Sequence, residues 1–348
     1  MPQSFLQRLA PEARDLLLSA AHPVSFLEGS VLVRHGEAAR GAFVLRTGSA
    51  EARVFAPGGE CYVVARLGEG DIFGEMALVE AGTCTATVVA TQNVDGWFLA
   101  FEDFRAVVSQ RQGASRDLQH AVTLVLAERL RALNRRLAAL ASPEDRPPRP
   151  PSAGPLAGVA RTHRAAFDLP AFLPRLAFFD HFPRDEIDEV VSEANVLDLP
   201  RGTMLHAPGS PANAVFIVAR GAVEVVRPVD GLERRVAVLG PGRPLGFMGV
   251  LLASAHGSHA WAREDSTILE IPAEAFRRLY FGEATSGSRV RAAVQRSLLE
   301  SLGRTNRALM RLATQARLAA RPGEAAQFEA AGAAQLWAEQ GESRGGPP

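Results

Sequence analysis

A glycine-rich segment in the first half of the chain combines the groups that bind a phosphate and a neighbouring hydroxyl. It runs Leu67-Gly68-Glu69-Gly70-Asp71-Ile72-Phe73-Gly74-Glu75-Met76-Ala77-Leu78. A short helical turn after a glycine-rich loop presents backbone N–H groups to an anion. A carboxylate such as that of Glu75 accepts hydrogen bonds from hydroxyl groups. The segment therefore indicates an anion-binding turn with an acidic residue beside it.

The chain repeats itself, so this segment has a counterpart. Its glycines and phenylalanines recur 173 positions later before one short loop and 172 positions later beyond it. The matched pairs are Gly29 and Gly202, Gly36 and Gly209, Phe43 and Phe216, Gly48 and Gly221, Gly68 and Gly240, Gly70 and Gly242, Gly74 and Gly246, Ala90 and Ala262, and Phe104 and Phe276. A register held this long, and broken once at a turn, indicates two duplicated domains.

Each copy is predicted to be mainly β with flanking α-helices. Short apolar runs separated by glycine turns, at this spacing, are typical of a jelly roll. The predicted strands are Ser30–Val33, Ala42–Leu45, Ala50–Phe55 and Tyr62–Leu67 in the first copy, and Thr203–Leu205, Val215–Val218 and Val223–Val226 in the second. Apolar periodicity predicts a helix before each β block and a longer one after it. The expected fold is two tandem β jelly rolls, each followed by a long C-terminal helix.

The segment Leu67–Leu78 resembles the phosphate-binding cassette of cyclic-nucleotide-binding domains. That family includes the catabolite activator proteins and the regulatory subunits of cyclic-AMP-dependent kinase. The resemblance covers roughly residues 5–140 and 175–315, and it implies a binding site for cyclic AMP or cyclic GMP in the first copy, with Glu75 on the ribose. The candidate residues of this site, called site 1, are Gly74, Glu75, Ala77, Leu78, Thr83, Cys84 and Thr85.

Both copies lack the arginine with which the family pairs the cyclic phosphate. Its position holds Cys84 in the first copy and His256 in the second. The second copy also has Phe247 in place of the ribose carboxylate, and an imidazole such as His256 carries charge only below a pKa near 6.5. We expect site 1 to be weak or inactive and its counterpart to be inactive. The counterpart, called site 2, comprises Gly246, Phe247, Gly249 and His256.

The helix predicted after each β block carries leucines at a 4-3-4-3 spacing. Such spacing is typical of a seam between two helices, although the same face could instead cover its own β domain. Because one chain has two such helices, an intramolecular pseudo-dimer is predicted in preference to an obligate homodimer. Beside the seam, Arg129, Arg131, Arg135 and Arg136 are predicted to form a solvated face. The seam positions are Leu126, Leu130, Leu133, Leu137 and Leu140, with Leu298, Leu302, Thr305, Leu309 and Leu312.

Composition and segment lengths define the expected organisation and location. The predicted divisions are domain 1 at 1–140, a Pro-rich linker at 141–172, domain 2 at 173–318 and a tail at 319–348. The net charge of zero provides no long-range attraction to nucleic acid or to an anionic membrane. No apolar run approaches the length of a membrane span, and the tail shows no helix-turn-helix pattern. We therefore expect a cytoplasmic protein that binds neither DNA nor membrane.

The motifs leave two functions open. No nucleophile–base pattern or pair of carboxylates indicates an enzyme, and the histidines show no metal-ligand spacing. In the first function, the chain is a bacterial-type regulatory protein that senses a cyclic nucleotide at site 1 and acts on an effector protein. In the second, it is a ligand-independent interaction protein that keeps the fold and the helix seam as a docking surface. The only bound small molecule that we expect is cyclic AMP or cyclic GMP at site 1.

Overall fold

The computed structural model describes residues 4–55, 61–109, 113–140, 154–163, 168–229 and 231–319. The helices are α1 (Phe5–Arg8), α2 (Pro11–Ala20), α3 (Phe101–Ser109), α4 (Gly113–Leu140), α5 (Leu169–Phe172), α6 (Arg184–Ser192), α7 (Phe247–Leu251), α8 (Ala273–Phe281) and α9 (Thr285–Ala319). Short 3-10 turns span Glu75–Leu78, Leu173–Arg175 and Ala177–Phe179. The strands of the first half are β1 (His22–Phe26), β2 (Val31–Val33), β3 (Ala38–Ala39), β4 (Gly41–Thr47), β5 (Ala50–Phe55), β6 (Cys61–Leu67), β7 (Ile72–Phe73), β8 (Gly82–Thr83), β9 (Thr87–Ala90) and β10 (Val94–Ala100). Those of the second half are β11 (Asn195–Leu199), β12 (Met204–His206), β13 (Ala214–Arg220), β14 (Val223–Val229), β15 (Leu232–Leu239), β16 (Pro244–Leu245), β17 (His259–Ala262) and β18 (Ser266–Pro272).

Two β-sandwich units follow each other along the chain. The first unit comprises α1 to α4 with β1 to β10, and the second comprises α5 to α9 with β11 to β18. The first contains the sheets β1-β10-β4-β7 and β2-β9-β5-β6, and the second contains β11-β18-β13-β16 and β12-β17-β14-β15. The strand order of these sheets is thus the same in the two units, and neighbouring strands within them are antiparallel. The predicted fold class, two tandem jelly rolls each followed by a long helix, is confirmed.

The sequence repeat is also a repeat of strand register. Ala50 pairs with Leu67 in the first unit, and Val223 pairs with Leu239 in the second. Both hairpins carry a register shift at the same place, after Ala52 in one and after Val225 in the other. The one-residue slip in the repeat falls in the turn after β5, whose residues 56–60 lie outside the described part of the chain.

Helices α4 and α9 run parallel and pack side by side. Residues that are equivalent in the two repeats meet at two points along the pair. The Arg291 Nε donates to Gln119 Oε1 at 3.2 Å, and the Gln295 Nε2 donates to Thr123 Oγ1 at 3.0 Å. Farther along both helices, the Thr305 hydroxyl donates to Asn134 Oδ1 at 3.2 Å. Because residue numbers rise together in all three contacts, the helices have the same direction.

The described seam leucines are buried between the two units, except Leu312, which is partly buried. One apolar cluster includes them together with Phe5 of the first unit and Phe179 and Tyr280 of the second. The face therefore covers more than its own β domain. The side chain of Leu140 lies outside the described residues. The buried seam positions are Leu126, Leu130, Leu133, Leu137, Leu298, Leu302, Thr305 and Leu309.

Part of the predicted linker packs on the second unit. The Leu156 N–H donates to the Met204 carbonyl at 2.7 Å, and the Arg161 guanidinium donates to both carboxylate oxygens of Glu270, at 2.6 and 2.9 Å. Residues 141–153 and 164–167 of the predicted linker and 320–348 of the predicted tail lie outside the described residues. Among the described helices, none has the length and apolar character needed to cross a membrane.

Candidate functional site

The chain turns sharply at Gly74, directly after β7. Gly74 has a φ of 75°, in the left-handed region that glycine adopts without strain. A Cβ at this position would lie 2.7 Å from the carbonyl oxygen of Gly41, so a larger residue would also clash. The 3-10 turn Glu75–Leu78 begins here, and the Ala77 N–H donates to the Gly74 carbonyl at 3.0 Å. The glycine is therefore required by the turn itself, whether or not a ligand binds.

Site 2 repeats this backbone. Gly246 has a φ of 82°, and the Gly249 N–H donates to the Gly246 carbonyl at 3.1 Å. A Cβ on Gly249 would lie 2.6 Å from the Cβ of Ala212, so this position must also be glycine. The cassette turn is thus retained in both units even though their side chains differ.

Backbone hydrogen bonds show that Cys84 and His256 occupy equivalent positions. The Gly36 N–H donates to the Cys84 carbonyl at 2.9 Å, and the Gly209 N–H donates to the His256 carbonyl at 2.8 Å. The donors are themselves a matched pair of the repeat. The side chains of Cys84 and His256 therefore start from the same backbone position in the two units.

In site 1, a residue of α4 already binds the carboxylate of Glu75. The Glu75 side chain is 1% exposed. Arg129 donates from Nη1 to Glu75 Oε2 and from Nη2 to the Ile72 carbonyl, whereas Glu75 Oε1 has no hydrogen-bond partner among the described residues. One guanidinium thus ties β7 and the 3-10 turn to α4. A buried carboxylate needs such a compensating cation.

The prediction of a solvated basic face on α4 is wrong for three of its four arginines. Besides the Arg129 contacts, Arg131 Nη2 donates to Ser254 Oγ of the second unit at 2.6 Å, and Arg136 Nη1 donates to the Val64 carbonyl of the first. Only Arg135 is exposed. The arginines point in different directions around α4, as predicted. Three of them are nevertheless not free in solvent, because both units pack around this helix.

The remaining candidates of site 1 fall into two groups. Ala77 and Leu78 are 1% and 3% exposed, so they belong to the core. Thr83 and Thr85 are exposed. The Thr85 hydroxyl lies 3.7 Å from Met76 Sδ, which places the loop between β8 and β9 beside the 3-10 turn. Burial and the charge of a neighbouring glutamate raise the pKa of the Cys84 thiol. A neutral thiol supplies no positive charge for a phosphate.

Site 2 is filled by its own side chains. Phe247 is 5% exposed and belongs to the large apolar cluster. His256 stacks on His206, with ring centroids 3.8 Å apart and planes within 6°. The Cε1 of His256 lies 3.6 Å from the position that a Cβ on Gly246 would take. The imidazole therefore packs against the start of α7.

Both stacked imidazoles are neutral at pH 7. Burial lowers the pKa of His256 below its usual value. Burial lowers the pKa of His206 to about 3, and the repulsion that two protonated rings would exert on each other adds to this effect. The His206 Nδ1 lies 2.9 Å from the carbonyl oxygen of Ser258, which fixes the ring. The lowered pKa makes His256 a poorer cation for a phosphate than an exposed histidine would be.

Sequence reasoning missed Arg129 as the partner of Glu75, although the repeat holds a signal for it. The position equivalent to Arg129, 172 residues later, is Ser301, and the position equivalent to Glu75 is Phe247. Both members of the ion pair are thus absent from the second unit together. A paired loss of this kind indicates that the two residues contact each other.

A family model described as the cyclic nucleotide-binding domain matches residues 23–111 and 196–282. The chain belongs to this family. The earlier resemblance to a tandem cyclic-nucleotide-binding-domain protein is thereby confirmed. Among the described residues, no group of three or more His, Cys, Asp or Glu side chains is arranged to hold a metal ion.

Individual relatives match different shares of the chain. The cyclic AMP receptor protein of Thermus thermophilus is 30% identical over 140 residues, which is 40% of this chain and 62% of that protein. The cGMP-dependent protein kinase 2 of Homo sapiens is 22% identical over 277 residues, 79% of this chain and 29% of the kinase. The regulatory domain of Toxoplasma gondii PKA, crystallised with cAMP, is 17% identical, with a TM-score of 0.32 over 87% of this chain and 93% of that one. The chain spans less than two thirds of the length of the two curated relatives.

Proposed function

We propose that this chain is a non-enzymatic regulatory protein that senses a cyclic nucleotide weakly at site 1 and acts through an effector protein. The observation that carries the proposal is the contact between Glu75 and Arg129. By resemblance, Glu75 is the acceptor for the ribose hydroxyl of cyclic AMP or cyclic GMP, and Arg129 occupies it. A ligand must therefore compete with Arg129, and its binding would release α4 from the cassette.

Site 1 binds weakly in this proposal because no arginine reaches the phosphate from position 84. A hydrogen bond to a charged group contributes about 1.5–3 kcal/mol, and a half-buried charge left without its partner costs about 3–5 kcal/mol. At about 1.4 kcal/mol per decade, the loss corresponds to roughly 10²–10³ in affinity. The backbone N–H groups of the turn and the exposed hydroxyls of Thr83 and Thr85 remain. These groups support binding in the millimolar range.

The helix α4 provides a route from site 1 to the rest of the molecule. It holds Glu75 at one point and meets α9 through the contacts of Gln119 and Thr123. A ligand that binds better to the conformation in which Arg129 has left Glu75 would increase the share of molecules in that conformation. In those molecules α4 is free to change its position. We expect the effector to recognise the surface formed by α4 and α9.

The second candidate function is that of a ligand-independent interaction protein. The filling of site 2 by Phe247 and His256 favours it, as does the neutral Cys84. In that case the pair of Glu75 and Arg129 is a permanent structural ion pair, and α4 does not move.

Calorimetric titration of two variants with cyclic AMP separates these functions. Arg129→Gln removes the competitor, so sensing predicts an affinity about tenfold higher than that of the unmodified protein. A double variant that carries both Arg129→Gln and Glu75→Gln should not show this higher affinity, because the freed carboxylate is then absent. The control is Arg105→Gln, since Arg105 is an exposed arginine of α3, and it should leave the titration unchanged. Folded Arg129→Gln protein that shows no heat at millimolar cyclic AMP would favour the ligand-independent function.

A further inference from the structure

Three arginines converge between α4 and the second unit, over the loop that carries His256 of site 2. We call Arg131, Arg135 and Arg227 the arginine cluster. Arg131 reaches Ser254 with a hydrogen bond of 2.6 Å. Arg227, on β14, places its Nη1 2.9 Å from the position that a Cβ on Gly257 would take. Ser254 and Gly257 belong to one loop between α7 and β17, so guanidiniums from both units lie over the same loop.

The three positive charges act on one another. Arg135 follows Arg131 by one helical turn and therefore shares its face of α4. Burial lowers the pKa of Arg227, and the charges of Arg135 and Arg131 lower it further. Burial and Arg135 likewise lower the pKa of Arg131, whereas Glu128 opposes this shift. Because Glu128 also pairs with Arg8 at 2.8 Å, its charge offsets that of the cluster only in part.

No described carboxylate forms an ion pair with any member of the cluster at an N–O distance of 4.0 Å or less. Other arginines of the second unit differ in this respect. Arg235 pairs with Glu224, which lies on the same strand as Arg227, and Arg161 pairs with Glu270. Like charges held together in a partly buried place disfavour one another unless an anion joins them. The three guanidiniums therefore form a partly buried, positively charged surface that suits an anion.

We propose that the arginine cluster binds a multiply charged phosphate, such as the diphosphate group of a nucleotide, between the two units. Guanidiniums bind phosphate oxygens in bidentate fashion and keep their charge when partly buried. A cyclic nucleotide carries a single negative charge, so three guanidiniums match a diphosphate better. The bound anion joins α4 of the first unit to the loop of Ser254 and Gly257 in the second.

Calorimetric titration of the full chain with sodium pyrophosphate at low salt tests this site. We expect one binding event, and we expect Arg131→Gln and Arg227→Gln each to weaken it by about tenfold or more. The control is Arg263→Gln, because Arg263 is an exposed arginine of the second unit that follows β17, and its loss should leave the affinity unchanged. A loss in Arg131→Gln shows that the first unit contributes to the site.

Two further arms complete the experiment. ADP should bind as tightly as pyrophosphate if the diphosphate is the recognised group, and cyclic AMP should not compete with it. If a glutamine variant unfolds, Arg227→Lys keeps the charge but not the bidentate geometry, and it should weaken binding several-fold. Absence of pyrophosphate binding to the folded, unmodified protein at millimolar concentration overturns the proposal, and so does an unchanged affinity in the variants. These outcomes do not depend on whether site 1 senses a cyclic nucleotide.

Discussion

At the scale of single residues, site 1 keeps the carboxylate at Glu75 but has no positively charged side chain at Cys84. The Glu75 carboxylate persists in a position that is 1% exposed, because Arg129 compensates its charge. Cys84 keeps the backbone contacts of its position, with Gly36 as donor, but its side chain carries no charge for a phosphate. The turn and the carboxylate of the cassette are thus in place, and the missing element is a cation beside the phosphate.

Cys84→Arg should therefore produce measurable cyclic AMP binding. Restoring a charged hydrogen bond to the phosphate is expected to raise the affinity by roughly 10²–10³ over the unmodified protein. The matched control is His256→Arg, which should not create a site because Phe247 leaves the second unit without a carboxylate. Calorimetry of both variants checks the prediction. Equal binding by the two would show that the carboxylate is dispensable.

The buried imidazole of His206 should make stability depend on pH. Its pKa falls from 6.5 to about 3 on folding, so the unfolded chain binds more protons between these values. The contribution of the neutral His206 to the free energy of unfolding is complete above pH 6.5 and is lost as the pH falls towards 3. The loss amounts to about 2 kcal/mol by about pH 5. Urea unfolding at about pH 7.5 and about pH 5 measures this loss. His206→Asn keeps a donor towards Ser258 and should lose less stability on acidification, whereas an equal loss in both proteins would refute the assignment.

Local patterns in the sequence predicted the cassette turn but not what fills the sites. Gly74 and Gly246 are recognisable because the left-handed turn restricts the residue type. The contact between Glu75 and Arg129 joins residues 54 positions apart, and no local propensity encodes it. The stacking of His256 on His206 likewise depends on how β12 meets the loop before β17. Only the paired absence of Glu75 and Arg129 from the second copy could have indicated the first contact.

At the scale of elements, α4 has contacts on several sides. It holds the first cassette through Arg129, meets α9 through Gln119 and Thr123, and reaches the second unit through Arg131. The 4-3-4-3 spacing predicted the face towards α9, because an apolar seam is a periodic property of the helix itself. The polar contacts on its other faces depend on the two sandwiches that surround it, so the same spacing could not predict them.

Leu130→Asp together with Leu302→Asp should destabilise the whole chain. Both leucines are at most 4% exposed, and replacing a buried leucine by a charged residue removes about 2–5 kcal/mol of packing and adds a desolvation cost. Ala139→Asp serves as the control, since Ala139 is an exposed residue of α4. Light scattering and circular dichroism measure assembly and folding. A dimer of the unmodified chain that the two substitutions convert into folded monomers would show that the seam lies between chains.

At the scale of the whole molecule, the two units share their largest apolar cluster, and each sandwich also has a smaller cluster of its own. The largest cluster contains Leu17 and Leu126 of the first unit together with Ile187 and Leu298 of the second. Hydrogen bonds between α4 and α9 add polar contacts to the same interface. The seam helices therefore hold the two sandwiches as parts of one structure.

The shared core predicts a single cooperative unfolding transition. Neither unit can expose its seam leucines without losing the burial of those in the other, so the two should melt together. Scanning calorimetry of the unmodified chain should show one peak whose calorimetric and van't Hoff enthalpies agree. Two resolved transitions, each assigned to one unit by limited proteolysis, would contradict a common core.

The central claim is that site 1 of the unmodified protein binds a cyclic nucleotide only weakly and that site 2 binds none. Both sites lack the cation for the phosphate, Arg129 pairs with the Glu75 carboxylate in site 1, and Phe247 and His256 fill site 2. Calorimetric titration of the unmodified chain with cyclic AMP, cyclic GMP and cyclic di-GMP tests it most directly. We predict binding in the millimolar range at most, confined to site 1. Micromolar or tighter binding that Glu75→Ala abolishes would contradict the claim, because another residue would then supply the missing charge.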